Sequence, residues 1–299
     1  MKPLTLSKGL PLIRMGLLGV PGSGKTPTLA TLAADPRLAP ALWLDCGGNM
    51  EWVKRSGLIP YGVGLERADD LDEVVEFLAM GQPANHMVRT ALGVDKDIIF
   101  KTVVLDTANR WQALALEELR QQKLEALIKK SGAARPSSDQ LRKLRQLAEI
   151  DPLRDASPIA ERTRRTLVSL VGLSLNVFVT FHEDERLTVM AGEDGRGVGA
   201  VSKSIRPLFF GKTIGEVLGL LNLVGRIRTA KEVEDRTVGN KVVKVEKPYS
   251  TITWSSDDMM VKNQVSPLVL GRETKFYYDQ NQGQTITVIL DHIQEECAG

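Results

Sequence analysis

The chain is poor in cysteine and in aromatic residues, and neither charge sign prevails. Its two cysteines, Cys46 and Cys297, cannot form a disulfide framework, and neither sits in a paired Cys/His spacing that would hold zinc. Aromatic residues make up 5% of 299 positions, and 39 Lys+Arg stand against 37 Asp+Glu for a formal charge of +2, which by itself points to no polyanionic partner. Long apolar runs are also missing. The most apolar stretch, Thr166 to Phe181, is interrupted by Ser169, Ser174 and Asn176 and is too short to span a bilayer. Lys8 and Arg14 interrupt the N-terminal apolar run that a signal peptide needs. These absences lead to the expectation of a soluble, cytoplasmic protein in a reducing setting, with no membrane partner. With 42% hydrophobic residues and balanced charge, disorder is excluded, and the length suits a single α/β domain over residues 1–299.

Punctuation along the chain predicts alternating strands and helices. Leu12 to Leu18 reads as a buried strand feeding Gly19, Thr28 to Ala34 as helix, and Ala41 to Leu44 as a second strand ending in Asp45. Asp69 and Asp70 are placed to cap a helix running to about Met80, and Thr102 to Leu105 forms a strand ending in Asp106. From about 111 to 172 the pattern is helical, with breaks expected near 132–138, at Asp151-Pro152 and at Ser157-Pro158. Residues 120–165 hold 12 Lys/Arg and 6 Asp/Glu, so this insertion is locally basic. Asn176 to Phe181 is a further strand, and Glu183 to Ser204 reads as a mobile Gly-rich loop. Three short runs, 241–246, 249–254 and 285–290, predict antiparallel strands toward the C-terminus, and residues 279–299 form a mildly acidic tail. The whole implies a mostly parallel sheet flanked by helices, with its site along the strands' carboxyl ends.

The strongest local signal is Gly19-Val20-Pro21-Gly22-Ser23-Gly24-Lys25-Thr26, which fits G-x-x-x-x-G-K-[ST] in full. It follows a predicted strand and opens a predicted helix. Glycines let successive N–H groups converge on one centre, and the helix start adds favourable potential for a polyphosphate. Gly19, Pro21, Gly22, Ser23, Gly24, Lys25, Thr26 and Pro27 are therefore the candidate cradle, with Lys25 directed to the β- and γ-phosphates of ATP and Thr26 to Mg²⁺. Pro27 is tolerated because a first-turn N–H has no partner within the helix. Val103-Val104-Leu105-Asp106-Thr107 has the form of a Walker B strand, which makes Asp106 the second candidate for the magnesium shell. His182, at the end of Phe178-Val179-Thr180-Phe181, is a candidate γ-phosphate sensor, and Asp45 ends its own strand in the same way.

Taken together, these segments resemble the RecA-type ATPases, and among them the phage nucleotide-binding proteins that act as single-strand annealing ATPases. Residues 42–48, 103–107 and 178–183 follow the phosphate loop in the family's order, and Val261-Lys262-Asn263-Gln264-Val265-Ser266-Pro267 is similar to the Lys-Asn-Arg-Phe-Gly-Pro motif of RadA-like relatives. The resemblance implies a RecA-like P-loop core, ATP-dependent work on single-stranded DNA in recombination, and assembly into homo-oligomeric rings or filaments with nucleotide at subunit boundaries. It also assigns Lys25, Asp106, His182 and Lys262 to catalysis. There are two departures. Gly47 occupies the place of the family's catalytic glutamate, for which Glu51 or Asp45 could substitute, and Gln264 stands where the motif has arginine.

For DNA, Arg186, Arg196, Lys203 and Arg206 fall in or beside the Gly-rich segment after His182, with Lys212 just beyond; such cations contact single strands through phosphates. A single-strand-binding protein is a further partner that the resemblance implies. Two other readings remain open at this level. A small-molecule kinase would use Arg162, Arg164 and Arg165 as a lid, and a non-hydrolysing assembly protein would use ATP as structural glue. A guanine-specific Asn-Lys-x-Asp motif is absent.

Overall fold

The computed structural model describes residues 11–47, 61–80, 98–132, 136–151, 155–191, 198–209, 214–238, 241–254, 262–263, 273–277 and 285–298. In chain order the elements are β1 (Arg14–Gly19), α1 (Lys25–Ala30) with a 3₁₀ continuation (Thr31–Ala34), β2 (Ala41–Asp45) and β3 (Gly62–Gly64). These are followed by α2 (Ala68–Ala79), β4 (Thr102–Asp106), α3 (Ala108–Ser131), α4 (Ser138–Leu147), α5 (Ala156–Val171) and β5 (Asn176–Ala191). The remainder is β6 (Val198–Pro207), α6 (Ile214–Leu220), β7 (Leu223–Val238), β8 (Lys241–Thr253), β9 (Lys262–Asn263), β10 (Glu273–Tyr277) and α7 (Thr285–Ala298).

One sheet organises the chain in the order β10-β8-β7-β1-β5-β4-β2-β3. From β7 to β3 the neighbours run parallel, while β8, β9 and β10 pair antiparallel at the far side and β6 pairs antiparallel with the outer half of β5. The mixed α/β class, the mostly parallel sheet and the antiparallel strands toward the C-terminus agree with the sequence reading.

Both faces of the parallel part are buried, as near-continuous apolar runs require. Alternation divides its side chains between two cores. Leu42, Leu44, Val103, Leu105, Val177, Val179 and Phe181 join α2, α3, α5 and α6 on one face. Met15, Leu17, Trp43, Val104 and Phe178 meet α1 and α7 on the other. This parity positions the site, because Asp45 and Asp106 alternate in step with Trp43 and Val104 and therefore face α1.

Three local expectations need correction. The helical region has no break at Ser157-Pro158, since Pro158 falls in the first turn of α5, where proline is accommodated. The expected cap of α2 is present: Asp70, in its first turn, accepts the backbone N–H groups of Glu66 (2.9 Å) and Arg67 (2.7 Å). The region from Glu183 to Ser204 is not simply a loop, because β5 runs on to Ala191 and pairs with β6 from Glu183↔Pro207 to Ala191↔Val198. Residues 285–290 are helical, not a strand. Ile286, Ile289, Leu290 and Ile293 follow helical spacing and are almost fully buried, so the acidic tail is in large part a packed helix.

Candidate functional site

Strand β1 delivers the chain into the glycine loop at the sheet's carboxyl edge. A Cβ at Gly19 would come within 2.4 Å of Ser23 Oγ and 2.8 Å of the Ile227 carbonyl oxygen, so glycine is required where the loop turns against β7. Gly22 and Gly24 hold φ of 79° and 90°, a region that side chains disfavour. Thr229 of β7 donates to the Ser23 carbonyl at 3.1 Å and supports the loop from that side.

Lys25, only 5% exposed, folds back over this loop. Its Nζ donates to the carbonyls of Gly19 (2.7 Å) and Val20 (2.9 Å) and lies 3.5 Å from Ser23 Oγ. Burial lowers its pKa from 10.5 to about 8, against the raising influence of Asp106 and Glu183. Next to it, Thr26 Oγ1 donates to Asp106 Oδ2 at 2.6 Å, and Thr180 Oγ1 donates to Asp106 Oδ1 at 2.5 Å. Asp106 is fully buried. Burial pushes its pKa up, the Thr180 and Thr26 hydroxyls oppose that shift, and Asp45, its register partner on β2, adds to it. Asp45 accepts the Gly47 N–H at 2.8 Å, which turns its carboxylate toward its own loop.

His182 lies beside Gly19 in the β1/β5 register and lines an open cavity of about 450 Å³ with Pro21, Gly22, Gly24, Lys25, Thr26, Pro27 and Thr107. Burial and the nearby Lys25 charge depress its pKa, so the imidazole is neutral at neutral pH. Its backbone N–H donates to Asn109 Oδ1 at 2.6 Å, the Leu208 N–H returns to its carbonyl at 2.7 Å, and Asn109 Nδ2 donates to the Leu208 carbonyl. Asn109, in the first turn of α3, thus ties the middle of β5 to the exit of β6.

The cradle residues, Lys25, Thr26, Asp106 and His182 converge at one place. Of the other candidates, the described side chains of Arg206, Arg162 and Arg164 do not line this cavity. Arg186 and Lys203 lie on β5 and β6 and Lys262 on β9, and their side chains lie outside the described set, as do Arg196, Lys212, Glu51 and Gln264 altogether. Lys262 pairs through its backbone with Val224 of β7. Arg206 Nε stands 3.8 Å from Asp184. Of the arginines suggested for a lid, Arg162 is held by Asp69 and Glu118, and Arg164 by Glu161. Sequence reading missed Thr180, Asn109 and a buried pair, Glu183 with Arg226. Thr180 had a usable signal, since it alternates in step with Phe178 and so faces Asp106.

The geometry suits a polyphosphate and a hard divalent cation. The loop offers N–H groups around a buried ammonium that is held by carbonyls and a hydroxyl, and a hydroxyl and a carboxylate stand side by side for oxygen ligation. No protein-family model matches the chain, and no curated protein does. Among solved structures, the chain is similar to the flagellar accessory protein FlaH from Methanocaldococcus jannaschii, at 11% identity and a TM-score of 0.35, over 90% of this chain and 87% of that one. Among the described residues, no helix is long and apolar enough to cross a membrane.

Proposed function

We propose that this protein is a RecA-like ATPase that binds ATP with Mg²⁺ and acts on single-stranded DNA, in phage recombination or strand annealing. The observation that carries the nucleotide part is the buried Lys25 ammonium within a glycine cradle, one residue from the Thr26 hydroxyl that meets Asp106. Lys25 would exchange its two carbonyl partners for β- and γ-phosphate oxygens. Thr26 and Asp106 would hold the metal, which when bound neutralises charge developing on the phosphates. His182, at the cavity wall, would meet the γ-phosphate. With Gly47 in place of the family's glutamate, Asp45, which ends β2, would take the water-orienting place, and slow turnover is expected.

The DNA part is supported by continuity. β5 leads from His182 straight into the β5–β6 hairpin, which carries Arg186, Lys203 and Arg206, so a change at the phosphate end is transmitted along a single strand. Cations there would contact phosphates without reading sequence. Assembly side by side into rings or filaments belongs to the same reading.

The test measures fluorescence anisotropy of a labelled single-stranded oligonucleotide with and without Mg-ATP, for wild type and Lys25→Ala at two salt concentrations. ATP-dependent, salt-sensitive binding that the variant loses is the expected result. ATP binding without any DNA binding would overturn the DNA part and leave an assembly ATPase or a kinase.

A further inference from the structure

Beside the phosphate loop lies a buried ion pair that the phosphate contacts themselves do not use. Arg226 on β7 donates through Nε to Glu183 Oε2 at 2.7 Å and through a terminal nitrogen to Glu183 Oε1 at 2.5 Å. The side chains are 5% and 7% exposed. Sheet order explains the meeting: β5 and β7 flank β1, His182 is level with Gly19, and Arg226 is level with Leu18. The pair therefore spans the end of β1, just where the chain becomes the glycine loop. By parity both residues lie on the sheet face away from Asp106.

A buried carboxylate at this position works against anion binding. Glu183 is close enough for its charge to act on Lys25, which sits on the Gly19 and Val20 carbonyls. A triphosphate brought to the same loop would meet the same negative charge, with little water to screen it. A bidentate guanidinium is the group best able to cancel a buried carboxylate.

We propose that Arg226 serves nucleotide binding by neutralising Glu183 beneath the loop, which leaves the loop receptive to a triphosphate. This rests on the phosphate-binding reading above. Arg226 acts through Glu183 and is a positioning residue.

The experiment measures Mg-ATP affinity by calorimetry for wild type, R226Q, E183Q and E183Q/R226Q, with K25A as the reference for lost phosphate contact and circular dichroism as the check on folding. R226Q is expected to weaken binding about tenfold or more, the scale of one uncompensated buried charge. E183Q should bind as tightly as wild type or tighter. E183Q/R226Q should recover to within about threefold of wild type, because the neutral pair imposes no field on the loop. If R226Q does not fold, R226K replaces it: an ammonium covers the carboxylate incompletely, binding falls by about threefold, and E183Q in that background restores it. A folded R226Q that binds like wild type, or a double variant as weak as R226Q, would overturn the proposal. Failure of wild type to bind Mg-ATP would instead sink the phosphate-binding reading on which it stands.

Discussion

The buried ammonium of Lys25 makes a prediction about stability that needs no nucleotide. In the native state its pKa falls from 10.5 to about 8, which corresponds to a cost of roughly 3 kcal/mol for carrying the charge while folded. The native protein releases this proton near pH 8 and the unfolded chain only near 10.5. Between those values the unfolded chain holds the extra proton, so stability rises with pH through that window. Lys25→Met removes the charge but also the donors to the Gly19 and Val20 carbonyls, whose loss costs about 1–3 kcal/mol. Near pH 7.5 the two effects offset, and the variant should be within about 2 kcal/mol of wild type. The decisive quantity is the difference between the two urea denaturation series across pH, because other lysines and tyrosines cancel in it. Wild type should gain about 3 kcal/mol on the variant between pH 8 and 10.5. Saturating Mg-ATP, at about a hundred times its dissociation constant, should add roughly 2.7 kcal/mol to wild type and little to Lys25→Met. Parallel pH curves would refute the argument, because they would mean that Lys25 is charged as easily in the fold as in water.

Three further outcomes follow from the same geometry. Asp106→Asn should lose Mg²⁺-dependent ATP affinity in calorimetry. It should nevertheless be at least as stable as wild type near pH 7, with the advantage shrinking on acidification, because burial raises the Asp106 pKa and ionised Asp106 opposes folding as pH rises through that raised value. Ile293→Ala, at a fully buried site on α7, should cost about 2–5 kcal/mol in chemical denaturation, whereas Glu295→Ala on the exposed side should stay within about 0.5 kcal/mol. Asn109→Ala removes the tie between β5 at His182 and the exit of β6 and should lower ATP turnover more than it raises the Michaelis constant, since it acts on the placement of His182 and not on the cradle.

Local patterns carried much of this architecture into the sequence. The glycine loop is legible because its conformational demands fall on adjacent residues, and Asp106 because an apolar run places one acid at a strand's end. Helix α7 was not legible: Thr285-Ile286-Thr287-Val288-Ile289-Leu290 is rich in β-branched residues, and only packing against α1 and its 3₁₀ continuation selects the helix. The β5–β6 hairpin was hidden by glycines and charges that read as a loop, although Leu187, Val189, Val201 and Ile205 stand at strand spacing. Glu183 and Arg226 are 43 positions apart, and nothing local pairs them. They meet because β5 and β7 both choose β1 as a neighbour, and that choice belongs to the topology.

That choice also governs when the molecule can acquire its site. β1 has no partner near it in the chain: residues 14–19 pair with 177–182 on one side and 223–226 on the other. Closing loops of this length is slow compared with forming a helix or hairpin, so β1 waits unpaired while the chain between is made and folded. A nascent polypeptide that ends before residue 223 carries the complete glycine motif but lacks the strand that pairs with β1 and supports the loop at Ser23. On the proposed reading, ATP cannot then act as an early folding template. It can only reward a chain whose two distant strands have already closed around the first.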